Sequence, residues 1–427
     1  MATQTLAAFD AALKDLYVGP IVEQLNQKTY ILDQIERDAD HIDHTGRRAV
    51  VPLHKNRNRG RKSIADGGTL PSAGAQVYLD AIVPLRYHTY GIELTDQVIE
   101  ASKTNEGAFV SAIEVESKGV AVDMRKDMNR QAFGTGNGAL AAPSVAGAPL
   151  EGLDKASKTT DLKFGQSSDM QYVQIGDVVD VLKEATGETG NGVVGAEVVA
   201  KNIGSLKVTL GTTLAAELAA NTYNVYVSGN RNQEMDGLRN ITENERTLHS
   251  VNSATAGNAF WKGNIVKAGT SFATTAVAGE SLFEQLADNV GAQGNGDVEV
   301  FLTTRGVRRR LGDSYQSQKR FNDAKAVDVH GGYSAIMVNE IPVVADDDCP
   351  KGYAFGFNKS ALKWFEQTKP GWLERENGGI FHLKTAGTGT YAAVWQAWFR
   401  WYAALGSVAP NRTGRIEFCT DDAPVNI

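Results

Sequence analysis

The stretch KNRNRGRKSIADGGTLPSAGAQ, residues 55–76, places five positive charges in its first eight residues and then becomes rich in glycine, serine and proline. Such a segment suits three different roles. It could contact nucleic acid, hold a phosphate, or serve as an arm that binds another protein. The sequence on either side of it helps to decide among them.

Both flanks of this stretch have the composition of β-strands. RRAVVPLH (47–54) precedes it, and QVYLDAIVPLRYHTYGIEL (76–94) follows it with apolar residues at alternating positions, the period of a strand with one buried face. Two strands around a turn-forming tip predict a long β-hairpin, in which each flank of about ten residues reaches about 33 Å. An isolated two-stranded ribbon is marginally stable in water, and this one lacks hydrophobic support from its own chain. We therefore expect the hairpin to lie on another molecule.

The overall composition is that of a globular protein with more than one domain. The chain has 427 residues, of which 42% are hydrophobic and 22% charged, and its formal net charge is −7. This length predicts two or three domains, and the acidic total argues against a polyanion binder. Cys349 and Cys419 cannot build a disulfide framework and fit a reducing cytoplasm. The N-terminus lacks the pattern of a signal peptide, and no run approaches the roughly 20 apolar residues that cross a bilayer.

The segments around the hairpin predict an N-terminal arm and a long helix. Apolar residues recur at helical spacing over 5–38, with an interruption at VGP (18–20). The best helix of the chain spans 105–133, where an apolar stripe faces a charged side. At about 1.5 Å per residue this helix is over roughly 40 Å long. We expect it to end at the glycine-rich GTGNGAL, which starts at residue 134.

Short β-strands and one very apolar strand dominate the rest of the chain. From about 164 to 230, short apolar runs alternate with Gly, Asn and Ser, which predicts a small antiparallel barrel or sandwich inserted as its own unit. A helix at 279–290, a buried strand in DVEVFLTT (297–304) and a helix that begins at Arg305 follow. GTYAAVWQAWFRWYAALGSVAP (389–410) is apolar at both sets of alternating positions. We expect a strand that is covered on both faces, with the long helix as one cover.

No residue pattern indicates catalysis or a cofactor. GTGNGA (134–139) follows a helix and lacks the Lys-Ser/Thr pair of a phosphate loop, so we interpret it as a helix end. ADDDCP (345–350) has three adjacent carboxylates, but adjacent strand side chains point to alternate faces, which favours a solvated turn over a metal site. Cys349 lacks a His/Asn setting that would indicate a nucleophile, and His41 and His44 lack further spaced ligands for zinc. We predict no catalytic, metal-binding or cofactor-binding residues.

Two basic clusters are the candidate site residues. The hairpin cluster comprises Lys55, Arg57, Arg59, Arg61 and Lys62, and the cluster in the helix that begins at 305 comprises Arg305, Arg308, Arg309 and Arg310. The hairpin cluster lacks the interleaved aromatics of single-strand binding and has no recognition helix. Three interpretations stay open: a solvated loop, a nonspecific phosphate contact, or an arm on an acidic patch of a neighbouring subunit, where charge selects the partner. We favour the arm, and we interpret the arginine helix as a further subunit contact.

The order of these elements resembles that of the major capsid (coat) protein of tailed bacteriophages, whose fold encapsulin shells share. An arm, a long hairpin, the strand YHTYGIELTDQVIEAS (87–102) and the long helix follow one another. The chain closes with IPVVADDDCPKGYAFGFNKSALKWFE (341–366), a long strand and VAPNRTGRIEF (408–418). The resemblance covers nearly the whole chain except about 150–230. It implies an α+β fold with an N-arm, an extended β-hairpin loop, a peripheral domain with a long spine helix, and an axial domain, into which a small β-barrel or sandwich is inserted.

The resemblance also implies a division of the chain into six segments. They are 1–50, the N-terminal arm; 51–92, the extended loop; 93–150, the peripheral domain with the spine helix; 151–232, the inserted β-rich domain; 233–388, the axial domain with part of the peripheral domain; and 389–427, the long peripheral-domain strand and the C-terminus. The chain begins directly at the arm, so we expect a separate scaffold protein or a short removed leader. Some members crosslink a loop lysine to a neighbour's asparagine, but we do not predict this chemistry for Lys55 or Lys62.

The implied function is that of a structural subunit and not of an enzyme. The resemblance implies a major capsid protein that self-assembles, with a scaffold, into the icosahedral shell around the double-stranded DNA of a tailed phage. The expected partners are copies of the chain in hexamers and pentamers, scaffold and portal proteins, and a decoration protein. We expect DNA to be enclosed without sequence-specific binding, no membrane and no cofactor, and a location in the virion after assembly in the host bacterial cytoplasm. The alternatives are an encapsulin-like nanocompartment shell, and an enzyme or monomeric binding module, which would need a convergent polar site.

Overall fold

The structure is a computed structural model, which describes residues 29–38, 48–58, 60–102, 112–140, 160–164, 170–190, 192–214, 223–294, 296–315, 327–329, 333–374, 379–387 and 390–422. The helices of these residues, α1 to α6, are Tyr30–Gln34, Asp96–Ser102, Ala112–Phe133, Leu238–Ile241, Glu280–Gly294 and Arg305–Ser314. The strands β1 to β11 are Arg37–Asp38, Arg48–Asn56, Val77–Pro84, Arg86–Thr95, Asp161–Lys163, Val178–Lys183, Val193–Asn202, Lys207–Leu210, Tyr223–Val227, Thr247–Leu248 and Val251–Asn252. The strands β12 to β21 are Asn264–Lys267, Val300–Thr303, Val327–Val329, Tyr333–Val338, Ile341–Ala345, Ala354–Phe357, Leu362–Trp372, His382–Gly387, Thr390–Ser407 and Thr413–Glu417.

The chain divides into two compact units. The first comprises the described parts of Met1–Asp33, Arg86–Asn129 and Glu366–Ala403, and the second those of Gln34–Leu85, Arg130–Phe365 and Ala404–Ile427. In the first unit, β4 pairs antiparallel with β20 from Thr95↔Val394 to Arg86↔Ala403. The long helix α3 contacts β4, because the Tyr90 hydroxyl on β4 donates a hydrogen bond to Asp127 of α3.

The two faces of the long strand β20 differ in burial. On the covered face, Ala397, Trp401 and Ala403 are buried, and the indole of Trp401 donates to Glu366 over 3.1 Å. On the other face, Tyr402 lies opposite Tyr87, whose side chain is 55% exposed. Val394, Trp398 and Tyr402 of this face are half-buried, so the described residues show partial cover where the sequence predicts full cover. Beside these residues the partner strand places Thr89, Glu93 and Thr95 on the same face.

The core of the second unit lies on a seven-stranded mixed sheet. Its strand order is β12-β21-β17-β13-β16-β15-β14. The helices predicted at 279–290 and from 305 are present as α5 and α6, and the predicted buried strand is β13, all four residues of which are buried. α5 turns Phe283, Leu286 and Val290 into the core at helical spacing. Thr304 caps α6, since its hydroxyl accepts from the Val307 N–H over 3.2 Å.

A five-stranded antiparallel sheet lies between α3 and α4 in the chain. Its strand order is β5-β8-β7-β6-β9, and it surrounds a separate buried core that includes Phe164, Val181, Val198, Val208 and Val225. The short strands that the sequence predicts from 164 to 230 are thus present. The sequence predicts either a barrel or a sandwich for this unit. A sandwich would need two sheets, whereas the described strands form one sheet. The segment boundary at 151–232 stays a prediction.

Asp180 holds this inserted sheet together from a buried position on β6. One carboxylate oxygen accepts from the Gly195 N–H over 2.8 Å, and the other accepts from the Gly229 N–H over 2.9 Å. Gly195 and Gly229 both have positive φ, 69° and 79°, so these backbones need glycine to present their N–H groups. The Asp180 carboxylate thereby joins a bend in β7 to the turn after β9.

We expect Asp180→Ala to lower the free energy of unfolding by about 2–4 kcal/mol, because it leaves two N–H groups without their charged acceptor. A urea titration followed by circular dichroism measures the loss. Asp177→Ala is the matched control, since its carboxylate accepts from Gln174 at an exposed site. Equal stability of the two variants would contradict the role of Asp180.

The hairpin strands pair as the sequence predicts, but the second flank is divided. β2 and β3 are antiparallel from Arg48↔Pro84 to Asn56↔Val77. The run 76–94 is not one strand, because it breaks at Leu85 and continues as β4, which pairs with β20. Pro84 stands at this break, and a proline has no N–H for a further ladder bond. We call β2 and β3 the ribbon and residues 57–76 the tip.

The ribbon strands have the hydrophobic support that the sequence analysis did not find. Ala49 and Val51 of β2 and Ala81 and Val83 of β3 share one face and are buried. Since the ribbon itself has two strands only, this face packs on other parts of the second unit. The expectation that the whole hairpin lacks support within its own chain was wrong for the strands, and the extended part is limited to the tip.

The acidic turn ADDDCP is buried and not solvated. Asp346, Asp348 and Cys349 are buried, and an Asp346 carboxylate oxygen accepts from the Asp348 N–H over 2.9 Å. The turn anchors the start of the inserted sheet, because the Gln171 amide donates to the Cys349 carbonyl over 2.9 Å and the Tyr172 hydroxyl donates to the Asp348 carbonyl over 2.8 Å. Burial follows from these distant partners, which lie over 170 residues away in sequence.

The segment GTGNGA ends α3, as predicted. Gly136 and Gly138 have positive φ values of 79° and 81°, where glycine is favoured. A Cβ atom at Gly138 would lie 2.5 Å from the Asn230 carbonyl oxygen. The segment therefore turns the chain closely past residue 230 and into the inserted sheet. The predicted arm before residue 29, and the first predicted turns of the long helix at 105–111, lie outside the described residues.

Candidate subunit-contact surfaces

The tip carries the basic cluster on an exposed loop without helix or strand. Lys55, at the end of β2, is half-buried, whereas Arg57, Arg61 and Lys62 are exposed; Arg59 lies outside the described residues. Within the described chain, no ion pair joins the three exposed side chains to a carboxylate. The loop is held by few bonds of its own, such as Asn58 to the Gly74 carbonyl over 2.8 Å and the Gly68 N–H to the Ala65 carbonyl over 2.9 Å. Its charges are thus available to a partner.

The tip also exposes apolar side chains that the sequence analysis did not single out. Leu70 is 76% exposed and Ile64 is 42% exposed. At the start of β3, Val77 and Tyr78 are exposed as well. Two isolated aliphatic residues in a segment of glycine, serine and charges give a weak signal, because such residues are common on surfaces. Because they follow the basic cluster directly in the same loop, the tip is both cationic and apolar.

The arginine helix α6 has partners within its own chain. Arg305 binds Asp347 through two bonds, Nε to Oδ1 at 2.5 Å and Nη2 to Oδ2 at 2.6 Å. Arg309 and Arg310 both pair with Asp422, at 2.5 and 3.2 Å. Arg308 is partly buried, and burial followed by the nearby Arg305 charge lowers its pKa. The cluster therefore offers a neighbour less uncompensated charge than the tip does.

The candidate reactive groups among the described residues are metal ligands and the two thiols. Among them, no group of three His, Cys, Asp or Glu side chains could hold a metal ion, and no helix is long and apolar enough to cross a membrane. Cys349 and Cys419 are buried, and burial raises the pKa of both thiols, so they stay protonated at neutral pH. His41 and His44 lie outside the described residues.

His249 is a buried histidine whose ring is neutral. Its side chain has no exposed surface, and burial, helped by the Arg246 charge, lowers its pKa to about 3. Nε2 accepts from the Ser407 N–H over 3.1 Å, so the neutral ring carries its proton on Nδ1, which lies 4.0 Å from the Asp236 carboxylate.

We expect the protein to lose about 2 kcal/mol of stability between pH 7 and pH 5 on account of His249. The unfolded histidine gains a proton below about pH 6.5, whereas the folded one does so only near pH 3, so the unfolded state is favoured as the pH falls. Urea titrations of the wild type and His249→Gln at both pH values measure the difference. An unchanged pH dependence in the variant would contradict a neutral, buried His249.

Comparison with known proteins gives a likeness in structure alone. No family model and no curated protein matches the sequence. The capsid asymmetric unit of cyanophage A-1(L) is similar over 98% of this chain and 100% of that chain, with a TM-score of 0.54 and 11% sequence identity. The capsid of an empty GTA particle is similar over 98% of this chain and 100% of that chain, with a TM-score of 0.49 and 10% sequence identity. The holo-SrpI encapsulin complex from Synechococcus elongatus is similar over 100% of this chain and 99% of that chain, with a TM-score of 0.45 and 9% sequence identity. Both are more distant than the cyanophage capsid.

The cyanophage likeness extends over both units and shows the fold. The chain has the fold of a phage capsid protein, as the order of its elements in the sequence predicts. The fold is α+β, and the prediction of this fold class is confirmed.

Proposed function

We propose that this chain is the major capsid protein of a tailed phage, which self-assembles into an icosahedral shell around double-stranded DNA. The observation that carries the proposal is the likeness to the cyanophage capsid subunit over 98% of the chain. A capsid subunit acts by binding copies of itself, and a repeated weak contact becomes strong in a closed shell because each subunit is held by several neighbours.

The tip is the proposed contact with the adjacent subunit. Arg57, Arg61 and Lys62 are exposed and unpaired within the described chain, and Leu70 supplies apolar surface beside them. Lys55 and Arg59 belong to the same cluster, and α6 with Arg305, Arg308, Arg309 and Arg310 is a second, weaker proposed contact. This proposal also includes the six segments predicted from the sequence and the scaffold, portal and decoration partners. It further includes the absence of enzymatic activity and assembly in the host cytoplasm.

Electron microscopy of the purified chain tests the proposal, with limited proteolysis of residues 55–76 alongside. We expect closed shells in which these residues are protected. Single subunits whose tip resists the protease would overturn the proposal, because the tip would then pack on its own chain. Shells that hold protein cargo and no nucleic acid would favour the second candidate, a nanocompartment, for which the encapsulin likeness is too distant to argue.

Reversal of the tip charge is expected to block assembly at low salt. Arg57→Glu with Arg61→Glu changes the net charge by about −4 and replaces attraction to an acidic neighbour with repulsion, which salt screens over about 10 Å at 0.1 M. Lys267→Glu with Lys369→Glu is the matched control, since both lysines are exposed and lie outside the tip. Light scattering against salt concentration follows assembly. Normal assembly of the tip variant at low salt would refute the electrostatic part of the proposal.

A further inference from the structure

The ribbon meets the rest of the second unit at a strained two-residue turn. His249 and Ser250 connect β10 and β11, and the register pair Leu248↔Val251 leaves these two residues as the loop. Their φ values are 51° and 66°. Positive φ at both positions defines the turn that two-residue hairpins favour, but Asn-Gly is the usual sequence there. His-Ser is sterically strained in this conformation, so other contacts must hold it.

Two hydrogen bonds of His249 tie separate segments together at this turn. The His249 carbonyl accepts from the Ile82 N–H of β3 over 2.8 Å. The ring Nε2 accepts from the Ser407 N–H at the end of β20 over 3.1 Å. One residue therefore connects the ribbon, the turn and the terminal part of β20. Among the main-chain hydrogen bonds of the described residues, the bond from Ile82 is the one that joins the ribbon to another element.

The buried face of the ribbon contacts Gly406, the neighbouring residue of β20. A Cβ atom at Gly406 would lie 2.6 Å from a ring carbon of Phe365 and 3.1 Å from Cγ2 of Val83. Glycine at 406 thus lets Val83 approach the strand closely. Since Gly406 precedes Ser407, the two sides of the ribbon base are positioned by consecutive residues of β20.

Beside these contacts the ribbon base borders a cavity of about 380 Å³. Arg48, Ile82 and Pro84 line it from the ribbon side, and Asp236, Thr247, His249 and Ser250 line it from the other. The described side chains leave this space open beside the ribbon base, whereas the apolar face with Val83 is packed. The hydrogen bonds of His249 hold the ribbon at the border of this space.

We propose that His249 is a positioning residue: its turn braces the ribbon and sets the direction in which the tip leaves the subunit. The inference rests on the proposed function, because this direction matters to a neighbour only if the tip docks there. In a shell, a small change of that angle is repeated at every contact and alters the curvature of the assembly. The brace acts through the ring acceptor and the carbonyl, and it touches no partner itself.

The test compares His249→Asn with His249→Gln. Asparagine tolerates positive φ but is too short to place an acceptor where Nε2 lies, whereas glutamine has the length to do so. Hydrogen exchange of the ribbon amides 78–83 is the first readout, and the particle diameter in electron microscopy is the second. We expect His249→Asn to speed exchange at these amides about tenfold or more and to give particles of several diameters, while His249→Gln resembles the wild type.

The brace would be overturned if the ribbon amides of His249→Asn exchanged at the wild-type rate and its particles had a single diameter. Equal effects of the Asn and Gln variants would also overturn it, because ring volume and not the acceptor would then matter. If His249→Asn does not fold, His249→Gly, which suits the positive φ but removes the ring acceptor, must also speed exchange at 78–83. Wild-type subunits that form no particles would count against the proposed function, whereas the exchange result would still decide the brace.

Discussion

A chain that lacks residues 60–75 is expected to fold and to form no particles. The deletion leaves Arg57, Asn58, Arg59 and Gln76 between the strands, a four-residue loop of a length that hairpins tolerate. Asn56 and Val77 are register partners, so the strand ends already lie side by side. Shortening the loop lowers the free-energy cost of closing it by about 1 kcal/mol, and the apolar face of the ribbon stays buried. Folding should therefore change little, while the proposed subunit contact is lost entirely.

Circular dichroism and thermal melting check the fold, and sedimentation with electron microscopy checks assembly. A tip of equal length made of glycine and serine is the matched control, because it keeps the reach of the loop and removes its charged and apolar side chains. We expect this control also to remain unassembled. Normal particles from the deletion variant would show that the tip is not the contact, and particles from the control alone would show that length and not chemistry matters.

Arg415→Met is expected to lower the free energy of unfolding by about 3–5 kcal/mol. The Arg415 side chain, on β21, is 6% exposed and lies between two carboxylates, Glu417 at 2.5 Å and Glu243 at 2.7 Å. It also donates to the Arg239 carbonyl over 2.7 Å and to the Thr242 hydroxyl over 3.2 Å. Methionine fills the space but leaves the buried Glu417 carboxylate without a counter-charge, which is the costly step.

Arg309→Met is the matched control for this prediction. Arg309 pairs with Asp422 over 2.5 Å, but its side chain is 55% exposed, so we expect a loss below about 1 kcal/mol. Adding Glu417→Gln to Arg415→Met should recover part of the loss, since the unpaired charge is then removed. Urea titrations in the tip-deletion background measure these values without a contribution from assembly. Equal losses in the Arg415 and Arg309 variants would contradict the importance of burial.

The effect of Arg415→Met should decrease in acid. Burial raises the pKa of Glu243, but the Arg415 charge and hydrogen bond outweigh this effect and hold the pKa below its usual value. The pair therefore stabilises the folded state fully above the unfolded pKa of about 4.3, and this contribution is lost as the pH falls below it. The difference between wild type and variant is expected to shrink below about pH 4.

The features that the sequence predicted correctly are those with a local cause. The apolar stripe of α5, the apolar run of β13 and the glycines that end α3 each depend on periodicity or backbone freedom within a few residues. The alternation in 47–54 and 76–84 likewise predicted two paired strands, and the order of such elements was enough to predict the capsid fold. The basic tip was recognised because its charges are adjacent in sequence.

What the sequence could not decide is which surfaces become covered, because cover comes from residues far along the chain. The ADDDCP turn is buried against Gln171 and Tyr172, and Trp398 and Tyr402 of β20 are only half-buried on the face where β4 places threonines and a glutamate beside them. His249 is a lone histidine in sequence and acquires a role only where Ile82 and Ser407 meet it. Local patterns thus determined the elements and their order, whereas the tertiary structure decided burial and the brace of the ribbon, since both depend on partners brought together by folding.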